Sequence, residues 1–175
     1  MDIFVEQLVK KPSSGKTIAL KVLIGAAAGL VAAVCVYLML CGFVIALLLA
    51  AGVFYGGYYL ISGLDSEYEY IVTNGEMDVD KIIAKRKRKR LITAKASTFE
   101  RFGKLSDAPE VENGVTIVQV DGTCGEPVEN YYADFTHSSM GSVRLIFSPE
   151  EKVIEGIKPF LPRPVRIEFD RKYNT

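Results

Sequence analysis

His137 is the single histidine of this 175-residue chain, and Asp134, Ser138 and Ser139 stand within three residues of it. A hydroxyl, an imidazole and a carboxylate are the parts of an acyl-transfer site. Such a site, however, needs a nucleophile, a base and oxyanion donors that converge from separate segments. Neighbours along one strand or turn do not converge in that way. Cys124 with His137 offers two metal ligands where a structural zinc takes four, so no metal is expected and Cys124 reads as a loop thiol. The PSSGKT stretch from Pro12 to Thr17 has the ending of a phosphate-binding loop, but Lys10 occupies the place that the motif reserves for glycine. No cofactor follows from these groups, and an enzyme is not expected. The chain has no Trp and no strand that interleaves basic and aromatic residues for base stacking, so nucleic acid is not an expected partner.

What remains is charge. From Lys81 to Lys104 there are ten basic residues and one acid, Glu100, whereas Asp65 to Asp80 carries six acids and no base. Lys85, Arg86, Lys87, Arg88, Lys89 and Arg90 form an unbroken run within the basic stretch. Three roles compete for it. It can bind anionic lipid headgroups, because each Lys or Arg near the inner leaflet is attracted by about 1 kcal/mol. It can hold the following domain on the cytoplasmic side, or it can pair with the neighbouring acids. Asp78 and Asp80 alternate with apolar residues and are expected on a solvated face.

The elements that carry these residues divide sharply. The 21 basic and 21 acidic side chains cancel over the whole chain, yet the 43 residues between Lys21 and Asp65 contain no Asp, Glu, Lys, Arg or His. At about 1.5 Å per helical residue this stretch extends for roughly 64 Å, twice a bilayer core of about 30 Å. A two-helix transmembrane hairpin over residues 22–64 is expected, with helices at about Val22 to Leu40 and Phe43 to Ser62 and a tight turn at Cys41 and Gly42. Lys10, Lys11, Lys16 and Lys21 precede it and the basic run follows it, so both termini are expected to be cytoplasmic in a multi-pass protein of the cell membrane. Gly25 with Gly29 and Gly52 with Gly56 form two GxxxG pairs at similar depth, and small residues let backbones approach. Packing within the hairpin is the preferred reading of all four, with packing between chains as the alternative. Residues 1–21 form a cytoplasmic N-terminal segment, in which Ile3, Phe4 and Leu8 suggest a helix lying along the interface.

Residues 65–175 are expected to form one cytoplasmic β-rich domain. Tyr68, Tyr70 and Val72 alternate up to Asn74-Gly75, the strongest short-range hairpin signal, placing strands at Glu67 to Thr73 and Glu76 to Ile83. Further strands are expected at Leu91 to Ser97, Val115 to Val120, Val128 or Tyr131 to Thr136, and Ser142 to Phe147. Ser97 to Gly103 reads as a short helical turn. Ser148, Pro149 and Glu151 make a capping box for an amphipathic helix that buries Val153, Ile154, Ile157, Phe160 and Leu161. Val165, Ile167 and Phe169 suggest a last strand.

This order, a Tyr-rich hairpin through VTNGEMDVDKI, a basic turn, a LITAKAS strand, more antiparallel strands and a late helix, resembles the bacterial pleckstrin-homology-like domains found beside membrane helices. The whole chain resembles an uncharacterised bacterial family of small two-pass membrane proteins with such a domain. The resemblance implies an α+β membrane protein whose helical hairpin is followed by an antiparallel β domain, a PH-like split barrel or bent sheet, capped by the late helix. Six strands before that helix, where the standard plan has seven, leave barrel closure open, and no functional residue carries over. The function expected is a membrane-anchored binding or scaffolding module at the inner leaflet. The alternative is an accessory subunit whose hairpin recognises an unknown membrane protein partner.

Overall fold

The computed structural model describes residues 2–122 and 129–173, which divide into two compact units. Cys124 and Val128 lie outside the described residues.

The helical unit spans Ser13–Ser66 with Ile83–Arg86. Helix α1 (Gly15–Leu40) and helix α2 (Ala46–Gly63) are joined through Cys41 and Gly42, whose φ of +96° suits a residue without a Cβ. Both helices are long and apolar enough to cross a membrane, and only 11% and 17% of their apolar windows are buried, unlike the core helices of a soluble protein. They fit a two-pass membrane protein. Helix α1 starts seven residues before the expected Val22, because nothing in Gly15 to Lys21 breaks a helix and its lysines reach beyond the apolar span.

Among the described residues the β unit has eight strands and two α-helices. Strands β1 (Phe4–Lys10), β2 (Ser66–Thr73), β3 (Glu76–Ile83) and β4 (Lys87–Lys95) form one sheet in that order. Strands β5 (Phe99–Lys104), β6 (Thr116–Gln119), β7 (Tyr131–His137) and β8 (Gly141–Phe147) form a second, ordered β5-β7-β8-β6. β6 runs parallel to β8, and β7 runs antiparallel to both β5 and β8. Both sheets are open, so the expected barrel alternative gives way to packed sheets. Tyr70, Met77, Phe99, Leu145, Phe147 and Ile157 lie fully buried between the elements. Helix α3 (Glu151–Ile157) and helix α4 (Arg163–Tyr173) complete the unit.

Several expectations are corrected. The N-terminal segment is strand β1 instead of an interfacial helix, paired antiparallel with β2 from Phe4↔Thr73 to Lys10↔Glu67. Its core positions are Val5, Gln7 and Val9, and the buried polar Gln7 hides the alternation that would have marked a strand. The β domain therefore does not begin at residue 65; its edge strand lies before the hairpin. Phe99 to Lys104 is strand β5, where a helical turn was expected. A register shift between Phe99 and Arg101 lets Phe99 and Phe102, three residues apart, both reach the core, and that spacing imitates a helix. Val165 to Phe169 lies in helix α4, not in a strand: Val165 and Phe169 are buried one helical turn apart while Ile167 is 56% exposed.

The capping box also fails to form. Ser148 is wholly buried, donating to Asn130 Oδ1 at 2.7 Å and accepting from the Gly122 amide at 2.9 Å, so its hydroxyl is not free to cap. Glu150 takes the N-cap position of α3 without a side-chain cap bond. Its amide donates to Gln7 Oε1 at 2.8 Å, and Gln7 Nε2 donates to the Ser148 carbonyl at 3.0 Å. The buried glutamine of β1 thus ties the start of the chain to the start of α3.

Candidate functional site: the basic hairpin

The β3–β4 connection folds tightly because Ala84 and Lys85 both adopt left-handed backbone angles, φ +54° and +55°, and the Arg86 amide closes on the Ile83 carbonyl at 3.0 Å. The basic run then sorts by residue type. Arg86 places its guanidinium 4.2 Å from the centre of the Tyr59 ring and donates to Ser62 Oγ at 3.4 Å. Arg88 donates to Glu69 Oε1 at 3.0 Å. Arg90 bridges Asp80 through Nε and Asp78 through Nη1 at 2.6 Å, and its pKa rises, first through the hydrogen bond to Asp80. Lys85, Lys87 and Lys89 are exposed and make no ion pair among the described residues.

Asp78 and Asp80 are accordingly not a solvated face. Asp80 is buried, and Thr93 Oγ1 donates to Asp78 at 2.6 Å. Among the described residues of the β unit the deepest acid is Glu69, 2% exposed, whose Oε2 has no hydrogen-bond partner. Desolvation raises its pKa above the usual carboxylate range, with Glu6 and Asp80 adding to the rise and Arg88 opposing it. A second buried charge pair spans strands β7 and β8. Arg144, 4% exposed, binds Asp134 through Nε at 2.6 Å and Nη2 at 2.7 Å, and donates Nη1 to the Pro109 carbonyl at 2.6 Å. A fork-on-fork geometry of this kind is the strongest form of ion pair. Sequence reasoning missed Arg144 and Glu69, because each alternates with the core residues of its strand (Val143, Leu145 and Phe147; Tyr68, Tyr70 and Val72), a phase in which a charge reads as solvent-facing.

Asp134 is therefore committed to Arg144, and the Asp134, His137 and serine trio is not brought together as a relay. Ser139 Oγ lies 3.2 Å from His137 Nδ1, a contact made within one exposed turn. Among the described residues no three His, Cys, Asp or Glu side chains could hold a metal ion. The PSSGKT stretch follows strand β1, as a phosphate-binding loop would, but Lys10 still fills the glycine position and the helix that follows is the apolar α1.

The glycine reading of the hairpin is corrected as well. A Cβ built at Gly25, Gly29, Gly52 or Gly56 would meet nothing within 4 Å, so none of the four makes the contact between α1 and α2. That contact runs along Ala32, Cys35, Ala46 and Ala50, and through Gly57, where a Cβ would come within 3.3 Å of Ala28 Cβ. The helices meet on a seam of small residues, one position away from the second GxxxG. At the open end of the hairpin Lys21 pairs with Asp65 at 2.6 Å.

A family model described as "Bacterial PH-like domain (DUF6106)" matches residues 1–167, nearly the whole chain and both units. No curated protein and no solved structure matches it.

Proposed function

The chain belongs to the bacterial PH-like domain family, and from that premise we propose that it is a membrane-anchored binding or scaffolding module at the inner leaflet, without catalytic activity of its own. One observation carries this reading. Strand β1, which precedes the two apolar helices, pairs over seven residues with β2, which follows them. A chain that leaves and re-enters one sheet must cross a bilayer an even number of times, so two passes return it to the side it left. Lys10, Lys11, Lys16 and Lys21 on one flank and the basic run on the other favour the cytoplasm as that side. The partners of the reading are the lipid bilayer, anionic headgroups near the free lysines, and a protein recognised by the β unit.

The outward-facing Gly25, Gly29 and Gly52 favour the second reading, an accessory subunit whose hairpin docks on another membrane protein. Reporter fusions at residues 1 and 175 test the first: both should report cytoplasm, and an external signal from either end overturns the two-pass arrangement. Co-purification from native membranes separates the two readings. A partner lost on replacing these glycines by Leu, with the β unit intact, favours the subunit.

A further inference from the structure

We infer that the cleft at the end of α2 is a seat for one anionic phospholipid, its phosphate held by Lys85 and Arg86 and its glycerol and first acyl carbons resting on Tyr58 and Ile61. This rests on the membrane-anchored reading and assigns its anionic headgroups to a single site.

The cleft, of about 480 Å³, is lined by Tyr58, Ile61, Ser62, Asp65, Ala84, Lys85 and Arg86, all within the helical unit. Its wall is the last two turns of an apolar helix and its rim is cationic, which matches a molecule with a phosphate at one end and hydrocarbon at the other. A free phosphate has no use for that wall. The one acid in the cleft, Asp65, is already paired with Lys21 at 2.6 Å, so Lys21, Lys85 and Arg86 against Asp65 leave two uncompensated positive charges.

Arg86 is held ready. The Tyr59 ring beneath its guanidinium and the Ser62 hydroxyl beside it fix the fork without neutralising it. Ser62 Oγ is itself oriented by donating to the Tyr58 carbonyl at 2.6 Å. The left-handed backbone at Ala84 and Lys85 anchors the turn, and the Ala84 amide donates to the Asp65 carbonyl at 2.9 Å. Further along the run, Arg88 and Arg90 are spent on Glu69, Asp78 and Asp80. The headgroup seat therefore uses the first two of the six basic residues and not the run as a whole.

The test is a lipid titration of the full-length protein in neutral detergent, with bound lipid read by native mass spectrometry for phosphatidylglycerol against phosphatidylcholine. One phosphatidylglycerol should be retained in preference. Lys85→Gln, which leaves every contact of Arg86 in place, should weaken it about fivefold, and Lys85→Gln with Arg86→Gln by roughly thirtyfold. Lys87→Gln with Lys89→Gln removes the same charge and should change the affinity less than twofold. Equal losses in the two double variants, or no loss in Lys85→Gln, overturn the seat. Displacement of the lipid by inorganic phosphate at millimolar concentration would assign the cleft to a free anion and overturn the lipid assignment. Alkaline extraction of membranes that carry the parent protein separates the two levels: release overturns the membrane reading, while retention with a failed titration overturns the seat alone.

Discussion

The β unit and the helical unit place apolar residues in opposite ways. In the β unit the largest side chains point inward, with Tyr70, Phe99 and Phe147 among those fully buried, and charges on the strands are paired or exposed. In the hairpin the buried positions are Ala32, Cys35, Ala46, Ala50 and Gly57, while Leu48, Ile45 and Leu40 are each about three-quarters exposed. The same residue types serve both units, and the contrast is the one that a two-pass membrane reading of the hairpin predicts. Water drives large apolar surface into a core. Lipid gives no such drive between helices, so backbones approach over small residues and the large ones face hydrocarbon.

Two truncations test that comparison most directly. Phe147→Ala, wholly buried and packed on Tyr70 and Phe102, should lower stability by about 3–5 kcal/mol in denaturant titration of the full-length protein. Leu48→Ala, 75% exposed on the hairpin, should stay within about 0.5 kcal/mol. A comparable loss from Leu48→Ala would mean that its side chain is covered by protein and not by lipid.

Charge removal in the β unit should have a nearly equal effect. Asp134→Ala leaves Arg144 buried without its partner and should cost about 3–5 kcal/mol, with most of the loss recovered in a second variant that also carries Arg144→Met. A neutral result for Asp134→Ala would show that water reaches Arg144 and that the pair is a surface feature.

The hairpin seam sharpens the contrast further. Gly57→Leu intrudes on Ala28 and should cost about 1–3 kcal/mol, whereas Gly52→Leu meets open space and should be neutral. Cross-linking of Cys35 to a cysteine placed at Ala46, in a Cys41→Ser and Cys124→Ser background, reports the contact. Loss of the cross-link in Gly52→Leu and not in Gly57→Leu would put the seam on the other face.

The smallest effect concerns Glu69. Its folded-state pKa lies above the unfolded value of 4.5, so the protonated form is favoured in the fold. The stabilisation is complete below about 4.5 and is lost as pH rises through the raised value. Glu69→Gln should flatten this part of the stability profile and raise stability at neutral pH. An unchanged slope would show that Arg88 already compensates the charge.

The unbroken apolar span, the Asn-Gly hairpin and the basic run were legible because each is local: helix and strand periods and turn chemistry act over a few residues. By itself the sequence determined the two helices, the β2–β3 pair and the positive flanks of the hairpin. Three features needed the tertiary structure. Strand β1 exists because its partner, 57 to 69 residues away in the chain, satisfies its backbone, and because Gln7 finds Ser148 and Glu150 across the unit. The face on which α1 meets α2 was settled by packing, since GxxxG pairs and an alanine seam look alike in sequence and only close approach distinguishes Gly57 from Gly56. The division of KRKRKR into paired arginines and free lysines was decided by which acids the strands bring within reach, a property of pairing that one segment's composition does not contain.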